Sequence, residues 1–192
     1  MLDAALVWLR RDLRTADQAA LHHALRAARR VWCLFVFDRE ILDPLLEAGR
    51  RADRRVEFIH QCVAALDADL QALAAAQGGN PGARLIVRHG RSSTELPQLA
   101  RLLRVQAVYA NHDDEPEALT RDGRVRDTLA SAGIAWHTSK DHVVFERSEL
   151  LTGAGKPYSV FTPYKNAWLK KVEPFFLKAY RSEEHTSELQ SR

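Results

Sequence analysis

The sequence predicts a doubly wound α/β domain on five parallel strands in the order 3-2-1-4-5. Apolar runs of strand length alternate with stretches of helical period, the pattern of βαβ units around a sheet buried on both faces. At 192 residues and 46% hydrophobic content, the chain has apolar mass for one substantial core and the usual length of one domain. Right-handed crossovers between sequential strands, with one switch of direction, then give the strand order.

The first strand is the apolar run Ala4 to Leu9, and alanine-rich helix formers follow from Ala19 to Ala28. The second strand, Val31 to Phe37, is the longest apolar run. From Asp53 to Ala76, Val56, Ile59, Val63, Leu66, Leu70 and Leu73 recur at spacings of three and four, so one helix lays a single apolar stripe on the sheet. Gly78-Gly79-Asn80-Pro81-Gly82 ends it in a loop. Leu85 to His89 is the third strand, and a capping box at Ser92-Ser93-Thr94-Glu95 opens the next helix, with Pro97 in its first turns or restarting it. Ala107 to Asn111 is the fourth strand. The helix Glu115 to Ala132 follows, with Pro116 in its first turn and Ala118, Val125, Leu129 and Ala132 facing inward. Ile134 to Thr138 is the fifth strand. Beyond it Lys140 to Tyr158 is an extended excursion, and Thr162 to Tyr180 a helix capped by Thr162, with Pro163 at its first position and an interruption at Pro174. Its Tyr164, Trp168, Leu169, Val172, Phe175 and Phe176 are too apolar for a solvated tail.

Charge decides little: a net +3 is compatible with a nucleic-acid protein but does not argue for one. Cys33 and Cys62 are the only cysteines and have no C-x-x-C spacing, so the chain reads as reduced, intracellular and cytoplasmic, with both thiols as small core residues. No apolar run approaches the ~20 residues a membrane helix needs, and no membrane association is expected. The segment Arg181 to Arg192 breaks with the Arg/Ala/Leu-rich style before it and is similar to the translation of a sequencing-library adapter. It is therefore read as a scar outside the fold, with the natural gene product continuing past Tyr180.

Ligands of doubly wound sheets bind outside the carboxyl ends of the strands, which places the turn Arg10 to Arg14, Asp38 and the turn Asn111 to Glu115 on one rim. The Rossmann-like architecture invites a dinucleotide, but the turn after the first strand holds charges where a phosphate cradle needs glycines. Gly153-Ala154-Gly155-Lys156-Pro157 likewise fails as a phosphate loop, because proline follows the lysine. The eight histidines show no ligand spacing, and His22 and His23 point to different helix faces, so no metal site is expected. There is no nucleophile elbow and no recognisably partnered histidine.

Three spaced motifs remain: Trp8 to Arg14 with Asp17 and Ala20-Leu21; Tyr109 to Pro116 with Arg121-Asp122; and Lys156 to Trp168, which reads KPYSVFTPYKNAW. Together, and in this order, they resemble the N-terminal half of the DNA photolyase/cryptochrome family over residues 4 to 178. The resemblance implies an α/β domain, residues 1 to 138, that holds an antenna chromophore. Residues 139 to 180 would form the linker and the start of the connection to a helical domain holding FAD and damaged DNA. The implied parent is a deoxyribodipyrimidine photo-lyase, closest to the class I enzymes for cyclobutane pyrimidine dimers, working as a monomer. Light excites reduced flavin, an electron passes to the dimer, the ring splits and the electron returns. A cryptochrome blue-light receptor is the alternative, and a non-catalytic nucleotide-binding-like module is a third possibility.

The resemblance also suggests the antenna. Folate-binding members carry an Asn-Glu pair where Glu117 and Ala118 stand here, whereas a deazaflavin or flavin type matches Arg55 before the long helix and Asp113 in the turn. The candidate chromophore residues are thus Arg10, Arg11, Asp38, Arg55, Asp113 and Glu115. Each has a plainer reading. Arg10, Arg11 and Arg14 with Asp12 and Asp17 can form an ion-pair network that caps the sheet, Arg55 can be a solvated helix charge, and Asp113 can be a turn residue. The Tyr158 to Trp168 cluster reads as packing against the helical domain. DNA stacking beside Lys165, Lys170 and Lys171 is disfavoured.

Overall fold

A computed structural model of the chain describes residues 1–50, 52–76, 78–80, 82–181 and 188–190. Its strands β1 (Leu2–Leu9), β2 (Ala28–Asp38), β3 (Leu85–Gly90), β4 (Ala107–Asn111) and β5 (Ala135–Ser139) pair in parallel in the order β3-β2-β1-β4-β5. This is the strand order the sequence predicts. Central β1 owes its place to continuous apolar character: Ala4 through Leu9 are all buried, which only a strand covered on both faces allows.

Alternate residues feed two cores. Ala5, Val7, Leu9, Val31, Cys33, Phe35 and Tyr109 face α1 (Ala19–Ala27) and α3 (Arg54–Ala76). Leu6, Trp8, Trp32, Leu34, Val36, Val108 and Ala110 face α4 (Ser92–Leu102) and α5 (Pro116–Ser131). The crossovers up to β3, through α1 and α3, lie on one face and those after β3, through α4 and α5, on the other, as right-handed connections require.

Several elements differ from expectation, each for a local reason. The α3 stripe rests on the sheet only from Val63 onward, through Leu66, Leu70 and Ala74. Val56 is half-buried and Ile59 exposed, because the helix runs past the sheet at its start. Ser92 is the first residue of α4, not its cap: Arg91 occupies the cap without a side-chain bond, so no capping box forms, and Pro97 lies buried within the helix. Ala132 is exposed just beyond α5, where Gly133 (φ +70°) turns the chain. An unforeseen helix, α2 (Arg39–Glu47), buries nothing; Asp38 caps it. Strand β5 starts one residue after Ile134 and has no buried residue, being the sheet edge. Cys62 is only half-buried, on the outer side of α3.

The last helix, α6, spans Phe161–Lys171 with Val160 at the cap, so Thr162 and Pro163 sit inside its first turn; a 3-10 turn follows at Pro174–Leu177. His22 and His23 do not diverge: their rings lie 5.4 Å apart, and each is 5.4 Å from Tyr180. Pro81 of the expected loop and residues 182–187 of the tail lie outside the described residues. The tail is not wholly outside the fold, since β6 (Glu188–Leu189) pairs in parallel with Arg30 and Val31 of β2, and Leu189 is buried against the α3 face. Strand β3 begins opposite Cys33, which leaves that part of β2 free to pair.

Two expectations follow. Replacing Leu70 by alanine should lower unfolding free energy by roughly 2–5 kcal/mol, against less than about 1 kcal/mol for Ile59→Ala, measured by urea denaturation; equal losses would contradict the seating of α3. Burial pushes the Cys33 thiol up to about 12. The unfolded thiol ionises at lower pH, so the stability Cys33 contributes is intact below the ordinary thiol value and falls as pH rises toward the folded one. At pH 8 a thiol reagent should therefore label Cys62 quickly and Cys33 only on unfolding; rapid labelling of both would contradict this.

Candidate functional site

At the carboxyl end of β1 the chain leaves the buried sheet through Trp8 and Leu9 and enters the charged turn. Arg10 folds back so that its guanidinium lies 4.6 Å over the Trp8 ring, and Arg121 of α5 covers the same indole at 4.8 Å. Arg10 Nη1 donates to both oxygens of Asp122, at 2.8 and 2.7 Å, and Nη2 donates to the Asn111 carbonyl. Arg121 donates to Asp122 Oδ1 at 3.1 and 3.0 Å. One carboxylate thus neutralises two stacked cations.

Asp12 lies deeper. Its Oδ1 accepts from the Arg10 backbone N–H at 2.8 Å, and its Oδ2 from Gln18 Nε2 and Asn111 Nδ2, both at 2.6 Å. Gln18 Oε1 in turn accepts from Leu21 N at 2.7 Å, capping α1, and Asn111 Oδ1 accepts from Ala20 N at 3.0 Å. Arg14 reaches Asp141 Oδ2 at 2.8 Å and the Asp17 carbonyl at 2.6 Å, while Asp141 Oδ1 accepts from Ala19 N at 3.1 Å. Arg10, Asp12 and Arg14 therefore form the internal network, and Asp17, in the left-handed region at φ +50°, receives the Tyr180 backbone N–H. Gln18 and Asp141 carried no motif and escaped the sequence reading.

The rest of the rim is less engaged. Arg11, half exposed, spans Asp113 at 3.3 Å and Glu115 at 2.6 Å; its guanidinium is held further above its ordinary value, chiefly by the Glu115 hydrogen bond. Asp113 also faces Arg121 at 3.8 Å. At the end of β2, Asp38 Oδ1 accepts from Glu40 N at 3.0 Å, but its Oδ2 is buried with no hydrogen-bond partner among the described residues. Arg124 of α5 reaches Glu40 at 3.7 Å, so the start of α2 faces the same helix that carries Asp122. Arg55 donates from Nε and Nη2 to Asp53 at 3.0 and 2.7 Å, holding that carboxyl well below its usual range. The structure thus joins Arg11, Asp113 and Glu115, links Arg10 to them through Asp122 and Arg121, sets Asp38 at the neighbouring strand end, and gives Arg55 to a local pair at the start of α3.

A partnered histidine, unrecognised in the sequence, does exist. His112 Nδ1 meets Glu146 at 2.9 and 2.8 Å, and its Nε2 lies 2.9 Å from Thr138 Oγ1. The partners are far apart in sequence and follow no motif spacing. The bridge ties the loop after β5 to the ends of β4 and β5.

Residues 5–184 match the family model DNA photolyase. Two curated deoxyribodipyrimidine photo-lyases are similar: that of a Synechococcus strain, 33% identical over 88% of this chain and 32% of its own length, and that of Halobacterium salinarum, 36% identical over 85% and 33%. The chain spans about a third of the length of these relatives. Among solved structures, the archaeal photolyase from Sulfolobus tokodaii, described as having two FAD molecules and implying a novel light-harvesting cofactor, superposes with a TM-score of 0.72. It is 25% identical, covering 88% of this chain and 35% of that one.

Asp12→Ala would leave three donors in the interior without an acceptor. It should cost roughly 3–5 kcal/mol of unfolding free energy, whereas Arg147→Ala on the exposed loop should change it by no more than about 0.5 kcal/mol. Equal urea midpoints for the two variants would show that the Asp12 network does not hold the fold.

Proposed function

Because the chain belongs to the DNA photolyase family, we propose that it is the light-collecting α/β part of a deoxyribodipyrimidine photo-lyase. The parent acts as a cytoplasmic monomer on cyclobutane pyrimidine dimers in damaged DNA. FAD and the lesion belong to the part of the parent that corresponds to the remaining length of its relatives. Residues 139–180 connect the two parts, and the exposed Phe161, Leu169, Phe175 and Leu177 form the apolar seam between them.

The observation that carries an antenna site on the rim is the buried, unpartnered Oδ2 of Asp38. A buried acceptor without a donor costs about 1–3 kcal/mol, which a ligand N–H or O–H would recover. Arg11 supplies the complementary donors and is half exposed, so a flat heterocycle with ring N–H and carbonyl groups fits this pair. Asp113 and Glu115 orient Arg11, and Arg10 anchors the turn from which it projects. Arg55 can serve as a further donor once it exchanges Asp53 for the ligand. Glu117 and Ala118 at the first turn of α5 supply no Asn-Glu pair, which favours a deazaflavin or flavin over a folate. When bound, such a chromophore absorbs light and passes the excitation to the flavin; these residues bind it, orient it and exclude water. A blue-light receptor is the second reading, favoured by the cryptochromes among the chain's relatives.

Titrating the chain with riboflavin and following its fluorescence tests the rim. Asp38→Asn keeps an acceptor for the α2 cap but turns a donor toward the site, and should weaken binding about tenfold, as should Arg11→Gln. Unchanged affinity in both variants would overturn the rim as the chromophore site. The chain alone should repair no thymine dimers under near-ultraviolet light, and repair by it would overturn the division of labour.

A further inference from the structure

We propose that the chain carries a second ligand site, an open cleft between α1 and the edge strand β5 that takes a planar aromatic anion the size of a nucleoside monophosphate. The cleft measures about 490 Å³ and is lined by His23, Arg26 and Ala27 of α1, Tyr109 of β4, and His137 to Ser139 of β5. None of these residues belongs to the rim set. The cleft follows from the topology. Helix α1 packs chiefly over β1 and β4 and only reaches β5, and the chain leaves Ser139 into loops, so among the described residues this face of β5 is incompletely covered and Ala135 and His137 remain exposed.

Its chemistry selects the ligand. The lining holds an arginine and two imidazoles and no carboxylate, and Arg26 makes no ion pair among the described residues, which leaves a permanent positive charge for an anion. His137 stacks on Tyr109 with ring centroids 4.9 Å apart and planes at 27°, giving an aromatic wall against which a further flat ring can lie. Burial raises the Tyr109 phenol above its ordinary value, so it keeps its proton at neutral pH. Burial, with His22 and Arg26 nearby, lowers His23, which then stays neutral and can donate or accept. The rings of His22, His23 and Tyr180 pack together beside this cleft. A volume of this order lies within the range of small-ligand pockets, and an aromatic wall with a few convergent polar groups is their usual construction.

Adenosine 5′-monophosphate is the probe, titrated into the full chain while the imidazole C–H resonances are followed by NMR. Saturable shifts of the His137 and His23 signals are expected, with adenosine and inorganic phosphate each binding at least about tenfold more weakly, since each offers half of the interaction. Arg26→Gln and His137→Ala should each weaken the monophosphate at least about fivefold. Both positions are exposed, and far-ultraviolet circular dichroism should be unchanged; His137→Gln, which keeps polarity but loses the stack, should behave as His137→Ala. Absence of saturable shifts up to about 10 mM monophosphate, a span typical of even weak sites, would overturn the proposal. So would affinity indifferent to the Arg26 and His137 variants, phosphate alone binding equally well, or competition by riboflavin, which would move the ligand to the rim. Failure of riboflavin binding at the rim would leave the monophosphate result unaffected.

Discussion

One buried carboxylate sets the geometry on which the rim depends. Asp12 sits just past the end of the central strand and accepts three hydrogen bonds, one from the turn, one from the residue capping α1 and one from the last residue of β4. An acceptor in that position is stable only if all three donors stay in place, and each donor is stable only if the acceptor remains. The turn after β1, the start of α1 and the end of β4 are therefore one rigid body. Arg10, whose backbone N–H is one of those donors, carries the constraint outward to Asp122 and the Asn111 carbonyl and presses its guanidinium on Trp8. The charge-dense motif at the start of the chain is thus largely an internal fastening, and its regularity reflects geometry before ligand contact.

The fold was legible because its central strands are buried on both faces. Ala4 to Leu9 and Val31 to Phe37 have no polar side to confuse the reading, and their order follows from handedness. Legibility failed where a residue's fate depends on what lies opposite. Nothing local distinguishes Ile59 from Leu70 in the α3 repeat, because only the reach of the sheet decides which is covered. The Ser92 and Thr162 capping signals failed for another reason: in each helix an earlier residue, Arg91 or Val160, already has the extended backbone of a cap, so the hydroxyl residues fall inside the first turn. Helix α2 does carry apolar residues at helical spacing, Ile41, Leu42, Leu45 and Leu46, but Pro44 interrupts the pattern and none of them is buried.

The site was legible in part. Arg11 meets Asp113 and Glu115, and Arg10 is linked to them only through Asp122 and Arg121, on the rim that placement at strand carboxyl ends requires. The partition of roles among them was not readable, since an arginine held inside and one turned outward look alike in a sequence. Gln18, Asp141 and the His112 bridge were invisible for a simpler reason. The partners of Asp141 and His112 are distant in the chain, Gln18 bonds the nearby Asp12 and Leu21, and single polar residues without a spacing rule carry no signal.

The distribution of polar atoms that results is unequal, and the inequality would serve the antenna site proposed on the rim. Arg10 and Arg121 share Asp122, and Asp12 is filled by the Arg10 backbone N–H, Gln18 and Asn111, so these residues contribute shape and rigidity to the rim but little unfilled bonding capacity. What remains uncommitted is small: part of the Arg11 guanidinium and one oxygen of Asp38. A site with few free polar groups on a stiff frame discriminates by position, because a ligand must bring a donor to one point and acceptors to another. Had the arginines of the turn been flexible and unpaired, they would bind any anion that approached. In the proposed antenna site, pairing them internally leaves Arg11 and Asp38 to set the selectivity.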